Sequence, residues 1–152
     1  MEALENIKAL LIEGKQGGIP PREVSPLALA YIGDAVFEIF VRTAVLSKGN
    51  APVNKLHKQS KDVVNAKAQA QMYHRIAPYL TEEENAVFKR GRNAKSFTAP
   101  KNMNLIDYRH ATGLEALFGF LYLSGKMQRA LELFEIGFEK RYTTDIEKQS
   151  PM

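Results

Sequence analysis

The chain of 152 residues contains no cysteine. That excludes a disulfide framework and any thiolate metal site, and it fits a reducing, cytoplasmic setting. No run reaches the roughly 20 apolar residues that span a bilayer, so no membrane partner is expected. Residues Met1 to Gly14 carry three glutamates among their leucines and do not read as a signal segment. No stretch alternates with the period of a half-buried strand, and there is no internal repeat or low-complexity tract. His57, His74 and His110 lack zinc-ligand spacing. No glycine-rich phosphate loop follows a strand, and no Ser-His-Asp arrangement can be assembled.

With 45% apolar and 25% charged residues, the chain has the composition of one globular domain with a real core. The pattern is helical throughout, and the fold class expected is all-α with about six to seven helices. Residues 2–13 form a short amphipathic helix bearing Leu4, Ile7, Leu10 and Leu11. The segment 14–24, with three glycines and two adjacent prolines, is a linker or ordered loop. Ser25 and Pro26 make a strong helix start, as N-cap and first helical residue. The helix that follows should run to Ser47 with Gly49 past its end, and its nearly all-round apolarity marks it as the central buried helix. One long helix is expected over 53–75, with Leu56, Val63, Val64, Ala68 and Met72 on its apolar face. "TEEE" at 81–84 is a capping box that opens a helix ending near 91–94. Residues 93–104 read as a loop. Two more helices are expected, over 107–124 with Gly125 as the stop, and over 127–142, before a frayed tail. Phe37, Phe40, Phe118, Phe120, Phe134 and Phe138 are assigned to the core.

Three features carry chemistry. Asp34 lies in "AYIGDAVFE", inside an almost wholly apolar helix. It is either a structural carboxylate paired with a cation or a ligand for a divalent metal, since an unpartnered buried acid is costly. Glu38, one turn on, is best read as an i,i+4 pair with Arg42. Glu115 borders the apolar stripe of "GLEALFGFLYL" among the small residues Gly113, Ala116 and Gly119. If the two helices cross there, Asp34 and Glu115 can share one Mg²⁺, which often needs only one or two protein carboxylates. Finally, no acid occurs between Glu84 and Asp107, where "FKRGRNAKSFTAPKN" holds Lys89, Arg90, Arg92, Lys95 and Lys101. With Asn93 and Ser96 as additional donors, this stretch is a candidate binder of phosphate oxygens. Lys55, Lys58, Lys61 and Lys67 add to the basic surface, and the net charge is +4.

"LALAYIGDAVFE" resembles the signature helix of the ribonuclease III catalytic domain, usually E-x-x-G-D-A-[VL]. "LEALFGFLYLSGK" is similar to that domain's second acidic helix. Together with "KRGRNAKSFTAPKN" and "YRHATGLEAL", the motifs resemble the Mini-ribonuclease III subgroup, reduced to the catalytic domain. The resemblance spans about residues 25–141. It implies a homodimeric, all-α, Mg²⁺-dependent endoribonuclease that cleaves double-stranded RNA. The implied substrate is a stem of the 23S ribosomal RNA precursor, on which a ribosomal protein is a further candidate partner. It also implies a catalytic domain over 25–142, preceded by an N-terminal helix and linker (1–24) and followed by a flexible tail (143–152).

By position, the resemblance makes Asp34 and Glu115 the catalytic, metal-holding pair. It puts Tyr31 at the dimer interface and the basic segment against an RNA groove. Two positions depart from the full-length family: Ala30 and Thr112 stand where it has further carboxylates. The halved set implies one ion, its shell completed by waters, Thr112 and RNA oxygens, with Glu38 close by. The rival reading is a non-catalytic double-stranded-RNA-binding or ribosome-assembly protein.

Overall fold

A computed structural model describes residues 2–95 and 104–149, with side chains described to residue 138. Its seven α-helices are α1 (Glu2–Leu11), α2 (Pro26–Ser47), α3 (Val53–Lys61), α4 (Ala66–Ile76), α5 (Glu82–Asn93), α6 (Leu105–Leu123) and α7 (Met127–Gln149). Short 3-10 turns cover Pro21–Glu23 and Ala77–Tyr79, and the described residues contain no strand.

The helix starts are chemically explicit. Ser25 Oγ accepts from Ala28 N at the head of α2. Thr81 and Glu84 form the full reciprocal capping box of α5. Asn104 Oδ1 accepts from the backbone N–H groups of Ile106 and Asp107, so α6 begins two residues before the expected Asp107. Gly125 ends that helix at φ +72°, a left-handed position that favours glycine. Lys15 and Gln16, from the loop after α1, pack against Gly125. The last helix continues past Tyr142 to Gln149, into residues expected to fray.

The single helix expected over 53–75 is two. Asn65 breaks it. Its Oδ1 accepts from Ala68 N at 2.8 Å, and its Nδ2 donates to Lys61 O at 2.7 Å. The side chain thereby caps α4 and ties it to the end of α3, offering the backbone an alternative to a continuous helix. The neighbouring Val63 and Val64, β-branched, give the helix little reason to run on.

The central helix is α6, not α2 as expected. Buried residues surround it on nearly all sides, from Ala111 and Gly113 to Leu121 and Leu123. α2 buries Leu29, Val36, Phe37, Val41 and Val45, but leaves Leu27, Tyr31, Ile39 and Leu46 exposed along its outer face. Phe37 and Phe40 of α2 meet Phe118 of α6 and Phe134 of α7, with ring centroids 5.4–6.1 Å apart in tilted and edge-to-face packing. On α1 only Leu10 is buried; Leu4, Ile7 and Leu11 of its apolar stripe stay in solvent.

Glycines decide why α6 is central. A Cβ at Gly33 would overlap the Glu115 carbonyl oxygen, and one at Gly119 would overlap that of Leu29. The backbones of α2 and α6 are therefore in contact at both ends of one crossing. From the other side, a Cβ at Gly91 of α5 would lie 2.7 Å from Ala116 Cβ. The turn of α6 that carries Glu115 is clasped between α2 and α5.

A candidate acidic centre beside a basic helix end

The crossing brings together the two acids singled out from sequence. Asp34 stands directly after Gly33, so the residue that permits backbone contact also fixes where the carboxylate emerges. Asp34 itself is exposed, and Glu115 is half-buried. The expectation that Asp34 is buried is corrected: Gly33 faces the helix contact, and one residue further the side chain turns out to solvent. The Glu115 carboxyl is within hydrogen-bonding reach of Asp34, and its pKa is pushed up to about 9. Burial is the main cause, followed by the hydrogen bond to Asp34 and that residue's charge, with Glu38 adding a smaller repulsion. Among the described residues, the side chains that act on Glu115 are Asp34, Gln69 and Glu38, none of them cationic, so the pair forms a site short of positive charge.

Glu38 makes the ion pair expected of it, with Arg42 Nε at 2.9 Å. Thr112 Oγ1 donates to Tyr108 O at 3.1 Å within its own helix. Among the described residues, no group of three or more His, Asp or Glu side chains is placed to hold a metal ion. The donor set is thus two carboxylates, Asp34 and Glu115. It fits a hard divalent cation that keeps several waters and takes its remaining ligands from substrate.

Gln69 was not anticipated. It lies on α4 between the buried Ala68 and Ala70, and nothing in "AKAQAQ" separates it from the exposed Gln71. The side chain approaches Glu115 and opposes the rise in its pKa. The contact falls short of a well-formed hydrogen bond, so Gln69 Nε2 is buried without a partner.

The basic residues belong largely to α5 rather than to a loop. Lys89, Arg90, Arg92 and Asn93 occupy its last turns, and Lys95 follows. Lys89, Arg90, Asn93 and Lys95 are exposed, whereas Arg92 is half-buried over the Phe88 ring, 5.8 Å from its centroid. Phe88 in turn stacks on Tyr73 at 3.6 Å, with His74 and His110 alongside. Ser96 and Lys101 lie outside the described residues. Because Gly91 packs on Ala116 and the Thr112 carbonyl, the basic end of α5 is seated on the same turn of α6 that bears Glu115. Lys55, Lys58, Lys61 and Lys67 are exposed on α3 and α4. No helix among the described residues is long and apolar enough to cross a membrane.

Comparison with known proteins gives a consistent result. The ribonuclease III domain family matches residues 27–126. Mini-ribonuclease 3 of Thermoanaerobacter sp. (strain X514) is 45% identical over 139 residues, covering 91% of this chain and 94% of that protein. Mini-ribonuclease 3 of Clostridium tetani is 50% identical over 116 residues, or 76% of this chain and 77% of that one. A crystal structure of a Fusobacterium nucleatum protein superposes with a TM-score of 0.70 at 35% identity, covering 79% of this chain and 96% of that one.

Proposed function

The chain belongs to the ribonuclease III family, and from that premise we propose that the Asp34–Glu115 pair is the catalytic centre at which it hydrolyses double-stranded RNA. The protein is an endoribonuclease; the assignment of its residues rests on the site. One observation carries that assignment: two carboxylates from different helices converge where glycine brings the backbones into contact.

Asp34 and Glu115 would hold one Mg²⁺ between them. When bound, the cation supplies a water of lowered pKa and neutralises charge on the scissile phosphate. The chain's own contribution is positioning. Gly33 and Gly119 set the helix separation and so the spacing of the two carboxylates. Asp34, being exposed, offers its oxygens to the side from which a duplex approaches. Glu115, half-buried, is the fixed partner. Lys89, Arg90, Arg92, Asn93 and Lys95 would grip the RNA backbone beside the acids, and Ser96 and Lys101 would extend that surface. Thr112 and Glu38 would border the site. The products would carry a 5′-phosphate and a 3′-hydroxyl.

The working unit would be a homodimer. Tyr31 is 81% exposed and Ile39 63%. An apolar groove lined by Phe40, Ala44, Leu131, Phe134 and Phe138 runs beside Ile39. Such a surface on the helix that carries Asp34 suits a second copy. The relatives named Mini-ribonuclease 3 make a stem of the cytoplasmic 23S ribosomal RNA precursor the substrate to test first, with and without a ribosomal protein bound to it.

Incubation with long double-stranded RNA, with Mg²⁺ or with a chelator, tests the reading. Cation-dependent cleavage that leaves 5′-phosphates is the expected result. RNA bound but uncut in Mg²⁺ would instead identify a non-catalytic binder.

A further inference from the structure

Gln69 is the residue at this centre with no role in the scheme above. Its side chain is 5% exposed, and its Nε2 is buried without a hydrogen-bond partner. Leaving such a donor unpaired is destabilising, because its lost hydration is not replaced, and a leucine or methionine would fill the same space between α4 and α6 without that cost. The donor is not isolated from the acids: the Gln69 side chain reaches Glu115. Its delivery there depends on the break at Asn65, whose cap starts α4 one turn before Gln69. An unsatisfied amide N–H beside a carboxyl that shares its other side with Asp34 is suited to orient that carboxyl.

We propose that Gln69 is a positioning residue for the metal centre: its Nε2–H holds one Glu115 oxygen so that the other faces Asp34 and the shared cation. This inference rests on the cation-site reading of Asp34 and Glu115. Carboxylates that bind metals are commonly held by such outer hydrogen bonds, and losing one typically lowers metal affinity ~10–100-fold. The amide donor is incompletely used in the cation-free arrangement and is fully used once Glu115 takes its place as a ligand.

The test is binding of Mg²⁺ alone, by calorimetry without RNA, to wild type, Gln69→Met and Asp34→Asn. Gln69→Met should bind at least ~10-fold more weakly. Its melting temperature in chelator should be unchanged or higher, because an unsatisfied buried donor has gone. In wild type, the Gln69 side-chain amide resonances should shift and gain exchange protection on adding Mg²⁺, a measurement that needs no variant to fold. Mg²⁺ binding unchanged in Gln69→Met but lost in Asp34→Asn would overturn the role of Gln69 alone. Wild-type Mg²⁺ binding that survives in Asp34→Asn would overturn both the site and the inference. Amide resonances indifferent to Mg²⁺ would also overturn the role of Gln69.

Discussion

A carboxyl that titrates near pH 9 does not act as a metal ligand until its proton leaves. Glu115 is held there chiefly by burial and then by Asp34, so in the cation-free protein it is protonated at neutral pH and donates to the Asp34 carboxylate. The linkage has a definite sign. The unfolded chain releases this proton near 4.5, the folded chain near 9. Between these values the folded state binds more protons, and stability falls as pH rises. In chelator, wild type should therefore lose more melting temperature between pH 6 and 8.5 than Glu115→Gln, and Mg²⁺ should offset the loss at the higher pH. Parallel melting curves for the two proteins across this range would contradict the coupling. Asp34→Asn and Glu115→Gln should each lower cleavage by more than ~100-fold, beyond the usual loss from removing an outer-shell partner, while the fold and most RNA binding persist. Initial rates at saturating Mg²⁺ check this, with Glu38→Gln, an ion-pair residue, as the mild control.

At the scale of elements, the site depends on helices that are locked from outside it. Arg129 of α7 donates through Nε and Nη2 to both oxygens of Glu84 at 2.8 and 2.9 Å, through Nη2 also to the Tyr79 carbonyl at 2.8 Å, and through Nη1 to Glu132 at 2.8 Å. Glu84 is buried, and it simultaneously closes the capping box of α5. Burial alone would raise its pKa; Arg129 and the Thr81 contacts outweigh burial and lower it. A group depressed in this way stabilises the fold above its unfolded pKa and loses that contribution as pH falls through its lower folded value. Arg129→Ala strands the carboxylate and should cost roughly 3–5 kcal/mol, as breaking a buried pair does. Urea denaturation at pH 7 measures it. The gap from wild type should narrow as pH falls through the lowered folded pKa of Glu84 and the carboxylate takes up its proton.

For the whole molecule, charged and apolar surface meet along α2. The basic end of α5 and the acidic pair share one turn of α6, and exposed apolar residues run along the outer face of α2, with others on α1 and at the start of α6. Changing Arg90, Arg92 and Lys95 together to Ala should weaken RNA binding and flatten its dependence on salt. Each lost phosphate contact should reduce the log–log slope by ~0.9 on the B-DNA calibration. Fluorescence titrations across ionic strengths read the slope, and an unaltered one would mark these residues as solvated charges. Tyr31→Glu should yield monomers by sedimentation and lose cleavage in parallel. A monomeric wild type that cuts both strands of a duplex would refute the dimeric arrangement.

Much of the fold is legible residue by residue in the sequence. The caps at Ser25 and Thr81 and the stop at Gly125 are local chemistry, complete within a few residues, and they set where α2, α5 and α6 begin or end. The motif positions of Asp34 and Glu115 are equally readable. Three things were not legible there, one set by a local competition and two by packing. The helix expected over 53–75 breaks at Asn65 because a side-chain cap competes there with the continuous ladder, and propensity alone favours neither outcome. The centre of the molecule is α6 rather than the more apolar-looking α2, because Gly113, Ala116 and Gly119 admit neighbours at backbone distance from two sides, a property of small residues that hydrophobicity does not register. Gln69 reaches the acids because that break starts α4 where it buries this one glutamine of two in "AKAQAQ" against α6. Local chemistry determines where a helix begins and which side chains it offers; which of them meet across helices is determined by how closely two backbones can approach.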